Sequence, residues 1–165
     1  MFKIFSVLAG TSAIALVGLV AASPADAQYR EKIANDPAKC AAGEGPAVRV
    51  TINEIKASKG TIRVQAYRAT ERDWLERGRW MYRMEAPARA GTMRFCIPLP
   101  ARGRFAIAAR HDVDGDGDTD IFGDGGAMSN DPSINIFNLG KPSYKKVGFD
   151  VGSDVRSIAI RMRYR

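Results

Sequence analysis

The sequence predicts an all-β protein, a single mainly antiparallel β-sandwich of about seven strands, and three observations carry that reading. Apolar and polar residues alternate with a period of two in several stretches, as where Val48, Val50 and Ile52 interleave with Arg49, Thr51 and Asn53. Gly and Pro punctuate those stretches at short intervals, which marks turns between strands. After the N-terminal leader, no stretch carries the periodicity of a helix of ordinary length.

The first segment, Met1 to Ala27, reads as a secretory signal peptide. Lys3 supplies the positive start, Ile4 to Ala22 is apolar and uncharged, and Ala25-Asp26-Ala27 has the small-x-small pattern of a cleavage site. An uncleaved anchor is the alternative, because the apolar run approaches the length of a bilayer span. Cleavage leaves residues 28–165 with no stable membrane span, as one domain long enough to bury a core. The formal charge of +7 survives processing, since Lys3 and Asp26 leave together. An exported basic protein of this kind points to the periplasm or the exterior. Its electrostatic partners there are anionic envelope polymers or carbohydrate rather than nucleic acid. Solubility alone also accounts for the charge.

Residues 28–46 form an irregular N-terminal segment, and residues 47–165 the sandwich. Cys40 and Cys96 both enter an oxidising compartment and are expected to pair. Closing that loop of roughly 55 residues would stabilise the fold by about 4 kcal/mol on the chain-entropy estimate. Without a Cys-x-x-Cys arrangement, the bond reads as structural.

Ile62, Val64 and Ala66 repeat the alternation of the first strand beyond a turn at Ser58 to Gly60, so the two strands are expected to form a hairpin. Between Thr70 and Met84 the rhythm breaks. Thr70 and Asp73 suggest a capping box, and a short helix or structured loop follows. Arg79 and its neighbouring arginines alternate there with Trp74, Trp80 and Tyr82, a combination that can serve as a ligand surface for sugars or phosphate chains. Aromatics capping one end of a β core, with the arginines in water, is the competing reading.

Met93, Phe95 and Ile97 give a third strand, and Phe105, Ile107 and Ala109 a fourth. Ile134 to Leu139 reads as a short strand or packed loop. Val147, Phe149 and Val151 form another strand, and Val155 to Tyr164 the last.

The fourth strand delivers His111 and an acidic loop with carboxylates at Asp112, Asp114, Asp116, Asp118 and Asp120, interleaved with Gly115 and Gly117. This spacing fits the first half of a calcium loop: side-chain ligands at Asp112, Asp114 and Asp116, a sharp turn at Gly117, and a backbone carbonyl from Asp118. Asp120 would act directly or through water. The twelfth position, where a bidentate Glu belongs, is Gly123, so Asp124, Asn130, Asp131 or water must complete the shell. An all-oxygen set selects calcium before magnesium, and both before zinc or copper. A solvated acidic turn is the alternative.

At the fourth strand and its loop the chain resembles a bacterial family, the domain of unknown function numbered 2141, made of exported β-sandwich proteins. The likeness runs from about Ala47 to Tyr164 and rests on Val50 to Tyr67, the Gly-x-Phe-Ala-Ile-Ala strand at Gly103 to Ala108, and His111-Asp112-x-Asp114-Gly115-Asp116-Gly117-x-x-Asp120. Ser129-Asn130 and Pro142-Ser143-Tyr144 match later segments. Where the family usually carries a Gly-x-Pro-x-Glu segment, this chain has Gly123-Asp124-Gly125-Gly126, so that Glu has no counterpart. The resemblance implies an immunoglobulin-like or transthyretin-like sandwich and export, and implies no activity.

Three functions follow as expectations: a non-enzymatic module of the cell envelope with a calcium-type loop, a carbohydrate- or anionic-polymer-binding module, and a hydrolase using His111 with Ser129 as nucleophile. Ser129 lacks a Gly-x-Ser-x-Gly context, which weighs against the last.

Overall fold

A computed structural model describes residues 29–120, 122–133 and 140–165. The signal-peptide expectation and the stretch Ile134 to Leu139 lie outside the described residues. Among these residues the chain forms ten strands in two sheets, with helical structure limited to single turns. No helix of the described residues is long and apolar enough to cross a membrane.

The smaller sheet has the order β5 (Gly91–Pro98), β2 (Ala47–Ile55), β9 (Val155–Arg161). β2 runs antiparallel to β5 and parallel to β9. The larger sheet has the order β1 (Glu31–Lys32), β4 (Tyr82–Pro87), β3 (Thr61–Arg68), β6 (Gly103–Asp112), β7 (Gly125–Met128), β10 (Arg163–Tyr164), and β8 (Phe149–Val151) pairs with the start of β6. β1 pairs with β4 in parallel, and the other ladders of this sheet are antiparallel. The all-β sandwich is therefore as expected, and nothing in the order of the described strands is specific to an immunoglobulin fold. Ten strands stand among the described residues where about seven were expected, because β1, β7 and β10 are two to four residues long, too short to show a period, and β4 begins in the stretch where the rhythm breaks.

The expected hairpin of β2 and β3 does not form. Val48, Val50 and Ile52 on β2 and Ile62, Val64 and Ala66 on β3 are all buried in one core, but they enter it from opposite sheets. Alternation reports that one face of a strand is covered; it does not report which strand lies alongside. The chain crosses between sheets at residues 56–60. Gly60 has a left-handed backbone there, with φ of 72°, and a Cβ in its place would stand 1.9 Å from the Asp112 carbonyl oxygen, so only glycine fits.

Two other boundaries differ. Val147 ends a single helical turn, α1 (Tyr144–Val147), capped by the Ser143 hydroxyl, and the strand begins only at Phe149. The C-terminal strand is divided: after β9 in the smaller sheet, Met162 turns into the core and β10 joins the larger one.

The main core lies between the sheets and includes Phe95, Ile97, Phe105, Ile107, Ile160 and Met162. A second cluster covers the outer face of the larger sheet, where Tyr67, Ala106 and Val147 pack with Trp74 and Trp80 of the loop after β3. Cys40 ends a turn of 3-10 helix, Pro37–Cys40, and forms a disulfide with Cys96 on β5, the Cα atoms 5.8 Å apart.

Candidate cation site and its surroundings

β6 and β7 pair antiparallel from Ala108 opposite Met128 to His111 opposite Gly125, so the acidic segment is the loop of a β-hairpin. Its base is tight. A Cβ at Gly125 would stand 2.5 Å from the Tyr164 ring, and glycine there lets β10 close over the hairpin.

Strand alternation puts His111 on the inner face and Arg110 and Asp112 on the outer one. Asp112 is buried, and its carboxylate organises the loop: Oδ1 accepts from the Gly115 amide at 2.9 Å, and Oδ2 from the Gly117 amide at 3.1 Å. Gly115 and Gly117 both have positive φ, which turns their N–H groups back onto Asp112. Asp114 accepts from the Asp116 amide and Asp116 from the Asp118 amide, at 3.3 and 2.7 Å. One carboxylate oxygen from each of Asp112, Asp114 and Asp116 lies within 4.8 Å of the others. Oxygens coordinated at about 2.5 Å around one calcium ion can stand up to about 5 Å apart, so the spacing fits this ion.

The remaining expected ligands take other positions. Asp124 is buried, but its two oxygens accept from the Val113 and Asp120 amides at 3.0 and 3.1 Å, so it clamps the two ends of the loop. Asp118 and Asp120 are exposed and stand outside the group of three. Repulsion from Asp116 first, then slight burial and the charges of Asp114, Asp124 and Asp118, pushes the Asp120 carboxyl above its usual range. Asn130 and Asp131 are used elsewhere, on the Lys146 and Gly148 carbonyls and on the Arg161 amide. Two cations brace the loop from outside. Arg110 donates to Thr119 Oγ1, to the Gly117 carbonyl at 2.7 Å and to Asp112 at 3.3 Å, and Lys56 donates to the Gly123 carbonyl at 2.8 Å.

His111 and Ser129 are not brought together. His111 Nε2 is 2.7 Å from the Lys59 carbonyl oxygen, which can only accept, so the proton sits on Nε2 and Nδ1 accepts from the Tyr164 hydroxyl at 2.7 Å. Ser129 Oγ donates to the Val147 carbonyl at 2.7 Å and accepts from the Ile107 amide at 3.0 Å, in a fully buried position. Ile107 and His111 are four residues apart on one strand, about 13 Å at the usual rise, so no nucleophile–base contact exists. The hydrolase expectation is therefore corrected: both side chains are structural latches.

The aromatic surface is corrected as well. Trp74 is 1% exposed and Trp80 7%, so neither indole offers a face to a sugar. Tyr82 is half-buried against the main core. Arg79 is committed to Asp73, at 2.6 Å, and lies over the Tyr29 ring. Burial alone would raise the Asp73 carboxyl, but hydrogen bonds from Thr70, Arg79 and Tyr29 and the Arg79 charge outweigh it and hold the group below its ordinary range. Its stabilisation is then full above the unfolded carboxyl pKa, about 3.9, and is lost as pH falls through the lower folded value. Asp73→Asn should cost about 2 kcal/mol at pH 7 and flatten the loss of stability below pH 4, as read from urea midpoints at pH 7 and pH 3.

Part of the same arginine-aromatic stretch does line a cleft of about 510 Å³ on the outer face of the larger sheet, where Arg77, Trp80 and Arg83 meet Arg30, Gln65 and Tyr67. These residues come from separate segments. A further signal was the polar set Arg63, Gln65 and Arg83 on the faces of β3 and β4 that point away from the core.

Fold and site together define an all-β sandwich that presents an aspartate-rich hairpin loop. The chain belongs to the family described as "uncharacterized protein conserved in bacteria (DUF2141)", which it matches over residues 50–159. No curated protein and no solved structure matches it.

Proposed function

We infer that this is an exported, non-enzymatic β-sandwich module of the cell envelope whose acidic hairpin loop binds calcium. One observation carries the reading: the convergence of Asp112, Asp114 and Asp116 within 4.8 Å on a backbone already curled by Gly115 and Gly117. The donor set is all oxygen, which suits a hard cation. Asp112, Asp114 and Asp116 would hold the ion, and the ion would supply positive charge where the loop now concentrates negative charge. The leader-like Met1 to Ala27 supports export, and the Cys40–Cys96 disulfide agrees with an oxidising compartment.

With no Glu at the twelfth position and Asp124 turned to the loop backbone, affinity should fall in the range of extracellular modules, a Kd on the order of 0.1 to 1 mM. At tenfold that concentration, calcium should stabilise the fold by about 1.4 kcal/mol and raise Tm by a few degrees. Asp112→Ala and Asp116→Ala should each abolish the shift, and Asp124→Ala should reduce it by loosening the clamp. Asp154→Ala, outside the loop, should leave it intact. If calorimetry of the wild type detects no heat beyond dilution and millimolar calcium leaves Tm unchanged, the loop is a solvated turn.

A further inference from the structure

We propose that the cleft on the outer face of the larger sheet binds a small phosphomonoester, its phosphate held by Arg30, Arg77 and Arg83. The cleft is separate from the acidic loop and independent of the calcium reading. Its lining carries a surplus of positive charge: three arginines against one carboxylate, Glu76, whose oxygen is already bonded to Lys141.

Little in the protein occupies the donors of this lining. Arg83 Nε is buried and makes no hydrogen bond, while the guanidinium lies 4.2 Å over the Trp80 ring. Its nearest carboxylate, Glu85, stands 3.9 Å away and belongs to Arg63, at 2.7 Å. Among the described residues, no protein hydrogen bond or ion pair engages the side chains of Arg30, Gln65 or Arg77, nor the Tyr67 hydroxyl. The accessible guanidinium groups of Arg30 and Arg77 are free to donate charge-assisted hydrogen bonds to an oxyanion, which are stronger than neutral ones. Burial first, and then the like charge of Arg63, pull Arg83 below its ordinary pKa, a penalty that a bound anion would relieve. Burial pushes Tyr67 up to about 12, so its hydroxyl stays a donor at physiological pH.

The backbone around the cleft points the same way. Arg30 and Leu75 are non-glycine residues with φ of 68° and 53°, a conformation that costs about 1 kcal/mol or more and that clusters at ligand sites. The charge argues for phosphate over a single carboxylate, since a phosphomonoester carries about −1.5 to −2 at neutral pH. The volume, about 510 Å³, leaves room for an organic group beside the phosphate.

The test is calorimetric titration, in metal-free buffer at constant ionic strength, with phenyl phosphate, inorganic phosphate and benzoate. Phenyl phosphate should bind at least tenfold more tightly than benzoate, and inorganic phosphate should compete with it. Arg77→Gln and Arg30→Gln, both at exposed positions, should each weaken binding at least fivefold with Tm unchanged in the absence of ligand. The Asp112→Ala protein should lose its response to calcium and keep its affinity for phenyl phosphate, which separates this site from the loop. Equal binding of benzoate and phenyl phosphate, or unchanged affinity in both arginine variants, would overturn the proposal.

Discussion

Replacing Trp74 by alanine should destabilise the protein by about 4 kcal/mol, the middle of the range for a fully buried aromatic. The indole is the centre of the outer cluster. It packs edge-on against Tyr67, ring centroids 5.4 Å apart, and its Nε1 donates to the Pro142 carbonyl at 2.8 Å. That bond ties the loop after β3 to the segment before α1, so truncation removes a packing core and leaves a carbonyl unmet. A Tm loss on the order of 15 °C is expected for a domain of this size. Trp74→Phe keeps most of the volume and should cost about 1 kcal/mol for the lost hydrogen bond. Thermal unfolding of both variants measures the two contributions. A Trp74→Ala loss below 1 kcal/mol would mean that this loop does not brace the sheet.

Reduction of the Cys40–Cys96 disulfide is the second large effect, again about 4 kcal/mol. The sequence separation is 56, and a crosslink over that distance removes much of the freedom of the unfolded chain. Other bonds hold the same segment natively: Asn35 accepts from the Cys96 amide at 2.9 Å and donates to the Arg94 carbonyl at 3.0 Å, and Arg49 donates to the Cys40 carbonyl. The Cys40→Ala/Cys96→Ala variant should therefore keep its far-ultraviolet circular dichroism at 20 °C while its Tm falls on the order of 15 °C. An unchanged Tm would show that the loop carries no entropic constraint worth measuring.

The features legible in the sequence were local ones. Period-two alternation located β2, β3, β5, β6 and β9, because each is long enough to show several turns of the pattern. The acidic loop was legible because its carboxylates are neighbours in the chain. What alternation lacks is information about partners, so β2 and β3 were joined in one hairpin when they face each other across the core. β7 was hidden in Gly125-Gly126-Ala127-Met128, whose glycines serve the approach of β10 and give no apolar period. The roles assigned to Trp74, Trp80 and His111 failed for a common reason. Their residue types suggest chemistry, but burial and hydrogen-bond partners decide their use, and those are set by Tyr67, Pro142, Lys59 and Tyr164, all distant in sequence. The arginine cleft was legible only in part: Arg77, Trp80 and Arg83 belong to the arginine-aromatic stretch read as a candidate surface for phosphate chains, whereas Arg30, Gln65 and Tyr67 come from segments that only the sheet brings to it.

The pairing of β2 with β9 links residues as far as 108 positions apart, as Arg49 and Ser157 are. β2 is the middle strand of its sheet, so one of its two edges has no ladder until the C-terminal segment arrives. Beyond Met162, Arg163 and Tyr164 of that same segment join the other sheet, where Tyr164 bonds His111 at the foot of the acidic loop. Contacts of such long range must close a large loop before they return any stabilisation, which makes them slow and cooperative. The first long strand of the chain thus cannot have both of its ladders until a segment 108 positions later is in place, and the same segment brings the Tyr164 bond to the foot of the hairpin loop.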